Sequence, residues 1–251
     1  MAKIKRLLIL GGTGEAAKLA DLAVDQFAGR LEVIYSLAGR VKPVRDLKAN
    51  VRIGGFGGGP GLADFIKNES VDFLIDATHP FAATISANAY DAAQATETPR
   101  LTLARPAWNL PPGAKLLEAD DMNEAVQLLS DFAKRVLVTT GQSSLDVLAD
   151  FPDIHFVVRV IEKPAEPLAG DNITLITGRP PYRLDDELAL MEEHKIDSLL
   201  AKQSGGEGTV AKITAAIRNR IPIVLLRRPL PEPGEAVDTE SEALLWLESR
   251  V

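Results

Sequence analysis

The sequence predicts an α/β protein of two lobes, each built on a mostly parallel sheet flanked by helices, with a cleft between them. Three observations predict it. Short apolar, β-branched runs alternate with helical patterns along almost the whole chain, the grammar of strand–helix–strand units. A glycine turn directly follows the first strand-like run. A proline-rich break, Arg105-Pro106-Ala107-Trp108-Asn109-Leu110-Pro111-Pro112, divides the chain before the same grammar restarts. Such breaks mark interdomain connections, which sets domains at residues 1–105 and 106–251.

The elements follow in order. Leu7-Leu8-Ile9-Leu10 is continuously apolar and reads as a strand buried on both faces. Residues 15–27 carry a helical period, 31–36 form the second strand and 71–76 another. A helix over 82–95 and a short strand, 101–103, complete the first half. In the second half, 136–141 is strand-then-glycine, with Ser143 or Ser144 placed to cap a helix. Residues 155–161 and 173–178 are strand-like. A helix near 185–194 leads to the strand 198–202, a glycine turn, a helix over 209–219, the strand 223–226 and a terminal helix over 241–248. The halves share an architecture without an evident sequence repeat.

Composition removes several function classes. The chain has 251 residues, and 35 acidic against 28 basic side chains give a formal charge of −7. Proteins that live on nucleic-acid phosphates carry the opposite balance, so no nucleic-acid partner is expected. There is no cysteine, which excludes disulfides, thiol catalysis and Cys-ligated metal. His79, His155 and His194 lack metal-ligand spacing, so no metal is expected. No apolar run approaches the ~20 residues that span a bilayer, and the N-terminus lacks a signal-peptide pattern. The expected setting is the cytoplasm, with no membrane partner.

The turn after the first strand reads Gly11-Gly12-Thr13-Gly14-Glu15-Ala16-Ala17. From Gly12 it is G-x-G-x-x-A, a dinucleotide-binding pattern in the strand–turn–helix context that it requires. Gly12 makes the tight turn, Gly14 admits a pyrophosphate to the backbone, and Ala17 lets helix and strand pack closely. The helix N-terminus then offers N–H groups and partial positive charge to the phosphates. The alternative is a turn whose glycines serve sterics alone. The first lobe is therefore read as a Rossmann-like nucleotide domain. An NAD site places Asp or Glu at the end of the second strand; here that strand runs into Ser36-Leu37-Ala38-Gly39-Arg40. A hydroxyl and a guanidinium suit a 2′-phosphate, so NADPH or NADP is the expected cofactor. A solvated Arg40 and a turn Ser36 are the alternative.

These residues, with Gly54-Gly55-Phe56-Gly57, Asp76-Ala77-Thr78-His79-Pro80-Phe81-Ala82, Arg105-Pro106-Ala107-Trp108 and Lys202-Gln203-Ser204-Gly205-Gly206, resemble the precorrin-6A reductase family of cobalamin biosynthesis, which includes the cobalt-precorrin-6A reductases. The match runs in order to Arg228-Pro229, and the segment 76–82 is its most specific part. Gln203 and Gly14 depart from the common residues. The resemblance implies two Rossmann-like lobes with cofactor and substrate between them. It also implies NADPH-dependent reduction of one double bond of precorrin-6A to give precorrin-6B.

Open α/β sheets bind ligands beyond the carboxyl ends of their strands, which selects the candidates. Gly12, Thr13, Gly14, Glu15, Ser36, Gly39, Arg40, Gly55, Asp76 and Thr78 are assigned to the cofactor, and the glycine stretch 54–59 reads either as a flexible wall over it or as a mobile surface loop. Asp76 can hold a ribose or serve as a turn carboxylate. His79 and Lys202 are the catalytic candidates. His79 can bind a substrate carboxylate, relay a proton or be a hydrogen-bonded structural histidine. The substrate's acetate and propionate groups call for cations and N–H donors, so Arg105, Lys202, Ser204 and Gly205 are assigned to it. Arg179, Trp108 and Tyr182 are further lining candidates. A non-catalytic NADP-sensing module is the rival reading, opposed by the ordered second-lobe motifs at Gly141, Gly178 and Lys202. A short-chain dehydrogenase would need Tyr-x-x-x-Lys, and Tyr35, Tyr90 and Tyr182 all lack the lysine.

Overall fold

A computed structural model of the chain describes residues 3–38, 46–142, 145–164, 166 and 170–251. The chain divides into two compact units, Met1–Pro106 with Pro229–Val251, and Ala107–Arg228.

The first unit holds strands β1 (Lys5–Leu10), β2 (Leu31–Leu37), β3 (Asn50–Ile53), β4 (Phe73–Asp76), β5 (Arg100–Leu103) and β12 (Glu235–Val237). They pair in parallel in the order β12-β5-β4-β1-β2-β3. Strand order reverses between β1 and β4, and at such a reversal the two following loops diverge and leave a crevice at the strands' carboxyl ends. The expected apolar run forms the centre: Leu7, Leu8, Ile9 and Leu10 are at most 2% exposed, because helices cover both faces of the sheet.

Helix α1 (Gly14–Gln26) packs through Ala16, Leu19, Ala20 and Ala23, the i, i+3, i+4, i+7 stripe of an amphipathic helix. Its core is shared with Ala243, Leu244, Trp246 and Leu247 of α7 (Glu240–Glu248). Helices α2 (Gly58–Asn68) and α3 (Ala83–Thr96) bury the side of the sheet lined by Leu8, Leu10 and Leu74.

The second unit repeats this plan with a different chain order. Its strands are β6 (Leu116–Ala119), β7 (Arg135–Val138), β8 (His155–Val160), β9 (Ile173–Thr177), β10 (Ser198–Lys202) and β11 (Ile223–Leu226), and its helices α4 (Met122–Ser130), α5 (Leu184–Glu193) and α6 (Ala211–Arg218). The parallel sheet runs β6-β11-β10-β7-β8-β9, so order reverses between β7 and β10. The outermost strand beside the fifth is β6 here, supplied before the rest, and β12 in the first unit, supplied after it.

The structure departs from the sequence reading in three places. Residues 229–251, expected in the second domain, return to the first: β12 pairs with β5, and Trp246 packs edge-on against Phe73 with ring centroids 6.0 Å apart. Where a capped helix was expected after Gly141, the described residues form a short 3-10 turn, Asp146–Asp150; Ser143 and Ser144 lie outside the described residues. The last two residues of the glycine stretch 54–59 are helix, since α2 begins at Gly58 with Gly57 as its left-handed cap.

Candidate functional site

The first unit's reversal point is built around the glycine turn. Thr13 caps α1 by accepting a hydrogen bond from the Ala16 amide (3.1 Å), and its hydroxyl donates to the Ala77 carbonyl beyond β4 (2.9 Å). One side chain thus ties together the two loops that flank the crevice. Gly12 has φ of +111°, where only glycine sits without strain, and a Cβ on Gly12 or Gly14 would meet nothing within 4 Å. The Gly14 and Glu15 amides open the helix, where the first N–H groups lack intrahelical partners. Open space in front of a glycine-bared helix start fits a diphosphate.

Tyr35, missed in the sequence, sets the turn's shape. Its hydroxyl accepts from the Gly12 amide at 2.9 Å, and its ring occupies the volume a side chain at position 11 would need, the built Cβ lying 2.2 Å from it. Gly11 is therefore a glycine for the tyrosine's sake. The Gly11 amide donates to the Ser36 carbonyl (2.9 Å), which links the glycine turn to the end of β2.

At that end Ser36 is 5% exposed. Its strand register places it beside Arg52 of β3, whose Nη1 donates to the Ser36 hydroxyl at 3.4 Å. Gly39 and Arg40, expected at this position, lie outside the described residues. Gly55 contributes its carbonyl to Arg52 Nη2 (2.9 Å). Arg52 itself was not anticipated; the signal was a lone cation at the end of a strand that runs directly into glycines.

Across the reversal point, Asp76 is 2% exposed and its Oδ1 accepts from the Thr78 amide (3.1 Å) and hydroxyl (2.7 Å). This is the turn-carboxylate geometry left open by the sequence, and it fixes Thr78 as well. His79 Nδ1 accepts from the Phe81 amide (3.2 Å), so in the neutral ring the proton sits on Nε2.

Glu15 and Arg105, assigned separately to cofactor and substrate, meet: Arg105 Nη1 lies 3.1 Å from both carboxylate oxygens. The pair offsets a carboxylate that would otherwise repel an anion at the helix start.

In the second unit, Lys202 closes β10, and burial pulls its pKa below the ordinary lysine value. Ser204 is 4% exposed, with its amide bonded to the Lys202 carbonyl (2.7 Å). Gly205 and Gly206 both have positive φ, and Trp108 Nε1 donates to the Gly206 carbonyl (3.0 Å). The last register pair of β7 and β10 is Val138 with Leu200. Two residues beyond it stand Thr140 and Lys202. Thr140 is 3% exposed and its Oγ1 has no hydrogen-bond partner among the described residues, a feature the sequence did not reveal.

The remaining lining candidates are engaged locally. Arg179 pairs with Glu162 at 3.1 Å, and Tyr182 donates to the Gly178 carbonyl (2.8 Å) under the Arg159 guanidinium, 3.9 Å from its ring centre. Among the described residues no cluster of His, Asp and Glu is suited to a metal, and no helix is long and apolar enough to cross a membrane.

The profile of the precorrin-6x reductase family CbiJ/CobK matches residues 6–248. A precorrin-6A reductase of Rhodococcus erythropolis is 44% identical over 243 residues, covering 96% of this chain and 97% of the relative. One from Mycobacterium tuberculosis is 39% identical over the same shares of both chains. The solved structure of a CobK precorrin-6A reductase superposes with a TM-score of 0.91 at 33% identity, over 98% of this chain and 97% of the other.

Proposed function

The chain belongs to the precorrin-6x reductase family, and from that premise we propose that it reduces one double bond of precorrin-6A to precorrin-6B, with NADPH as reductant, in the cytoplasmic biosynthesis of cobalamin. The observation that carries the reading is the turn of Gly12, Thr13 and Gly14, positioned at the strand reversal and open in front of its glycines.

The first unit's residues fit the cofactor. The amides of Gly14 and Glu15 take the diphosphate, Thr13 holds the turn, and the Glu15–Arg105 pair keeps a local negative charge from opposing it. Ser36, Gly39, Arg40 and Gly55 are assigned the adenosine side. Asp76 and Thr78, bonded to each other, form a rigid edge across the reversal point. When bound, NADPH supplies a hydride, and the protein's part is orientation and exclusion of water.

The substrate's carboxylates are assigned to Lys202, Ser204, Gly205 and Arg105. A desolvated ammonium gains more from a carboxylate than a solvated one does, which supports Lys202 as the anchor. The proton that completes the reduction is assigned to His79 Nε2 or to Lys202 Nζ, both able to donate.

Purified protein mixed with NADPH and precorrin-6A should oxidise the nicotinamide in step with macrocycle reduction, followed by loss of nicotinamide absorbance. NADPH binding without turnover would favour a cofactor-sensing module and sink the enzymatic reading.

A further inference from the structure

We infer that Arg52 reads the adenosine 2′-phosphate and so sets the preference for NADP over NAD. The inference deepens the reading of the first unit as an NADP site and rests on it.

Arg52 is held in one pose from three sides. Its guanidinium lies 3.9 Å from the centre of the Phe56 ring and 5.1 Å from that of Phe65. The carbonyl of Gly54 accepts from Nη1 and that of Gly55 from Nη2 (2.9 Å). On the other side Nη1 reaches the hydroxyl of buried Ser36, whose carbonyl receives the Gly11 amide. A continuous set of contacts therefore runs from the phosphate turn through Ser36 to Arg52.

Two further features point to an anion. A guanidinium has five N–H donors; among the described residues two carbonyls and one hydroxyl use three of them, leaving Nε–H and one Nη2 proton. Phosphate oxygens accept such a pair in a fork. The cation is also uncompensated: no carboxylate pairs with Arg52 among the described residues, and burial pulls its pKa below the ordinary arginine value. A partly desolvated charge with a fixed plane and spare donors loses little entropy on meeting a phosphate. The rival role is purely structural, a pin for the loop 54–56.

The two roles separate in binding of 2′,5′-ADP and 5′-AMP, which differ only in the 2′-phosphate. Calorimetric titration of the full chain should show wild type preferring 2′,5′-ADP. Arg52→Gln should weaken 2′,5′-ADP and NADPH by roughly 10–100-fold, the loss of a charged hydrogen bond to phosphate, and leave 5′-AMP and NADH unchanged. Arg52→Lys, which keeps the charge and most of the stem, should fall between, and it serves if the glutamine variant does not fold. Unchanged affinity for 2′,5′-ADP in a variant whose wild type prefers it would overturn the role of Arg52 and leave the NADP site standing. Equal weakening of both ligands would overturn it in favour of the structural pin. A wild type with no preference for 2′,5′-ADP would bring down the NADP reading itself, and this inference with it.

Discussion

The glycine turn is a contest for space between Gly11 and Tyr35. Gly11→Ala places a Cβ 2.2 Å from the tyrosine ring. Ring or backbone must move, at about 1–3 kcal/mol for forced overpacking. Because the ring's hydroxyl also holds the Gly12 amide, the displacement should weaken NADPH binding too. Tyr35→Phe keeps the ring and drops the bond, a milder loss of about 0.5–1.5 kcal/mol. Unfolding curves and NADPH titrations of both variants check this; an alanine variant as stable and as tightly binding as wild type would refute the steric account. Lys202 makes the opposite trade. Burial lowers its folded-state pKa below 10.5, so between the two values the folded chain binds fewer protons than the unfolded one. Stability therefore rises with pH across that window, and at neutral pH the buried charge costs stability. Lys202→Met should raise the unfolding midpoint at pH 7, the gain fading as pH nears 10.5, while turnover of precorrin-6A falls and NADPH affinity holds. Parallel midpoints at every pH would show that the ammonium is not desolvated. The glycine turn, Ser36, Asp76 and Lys202 could be picked out as candidates because the turn follows a strong strand directly and the other three stand at or next to the carboxyl end of one. Tyr35, Arg52 and Thr140 were not, because their roles depend on partners brought together by strand pairing.

Among the elements, the apolar strands were legible, the edge strand β9 and the short β5 included, while the polar edge strands were not. β1, β2, β10 and β11 announce themselves as buried runs. β3 (Asn50–Ile53) and β6 (Leu116–Ala119) are edge strands with mostly exposed residues, so no burial pattern marks them. α2 opens on Gly58-Gly59-Pro60-Gly61, four residues that argue against a helix by propensity. It forms because Leu62, Ala63 and Ile66 are buried on the sheet, tertiary packing that overrides local preference. Gly61 is also required, since a Cβ there would lie 1.8 Å from the Phe56 carbonyl oxygen. The terminal helix carries a capping box: Thr239 accepts from the Glu242 amide (3.2 Å), and the Glu242 carboxylate accepts from the Thr239 amide (3.0 Å). The Thr239 hydroxyl, which donates to the same carboxylate (2.9 Å), and then the Asp238 and Thr239 amides hold the Glu242 carboxyl below its usual pKa. Thr239→Ala should cost about 1 kcal/mol, read as a lowered unfolding midpoint. A lowered carboxylate pKa adds stability above the unfolded value and loses it as pH falls. The gap between variant and wild type should therefore narrow below the ordinary carboxylate range of 4.5. A gap that stays constant through that range would separate the cap from the titration.

At the scale of the whole molecule, one unit is inserted into the other's chain. The prolines near residue 106 marked the outward crossing, but the return at Pro229 was hidden because β12 is only three residues long and α7 looks like any terminal helix. The consequence is asymmetric. The first unit's core includes Ala243, Leu244, Trp246 and Leu247 packed with Leu19, Ala20 and Phe73, so it is incomplete until the last residues arrive. The second unit, Ala107–Arg228, has all six of its strands within one continuous stretch. A chain ending at Arg228 should therefore lose the first unit's stability, since removal of one buried tryptophan alone costs about 3–5 kcal/mol, against a typical ~5–15 kcal/mol for a domain. NADPH binding should vanish with it. The fragment 107–228 should instead show native-like circular dichroism and a single cooperative unfolding transition. Amide hydrogen exchange on the truncated chain would locate the damage: loss of protection in β1, β2 and β4, with β7, β8 and β10 still protected. Retained protection in β1 together with undiminished NADPH affinity would mean that the first unit closes its core without its C-terminal segment. The chain would then be two consecutive domains, as its sequence first suggests.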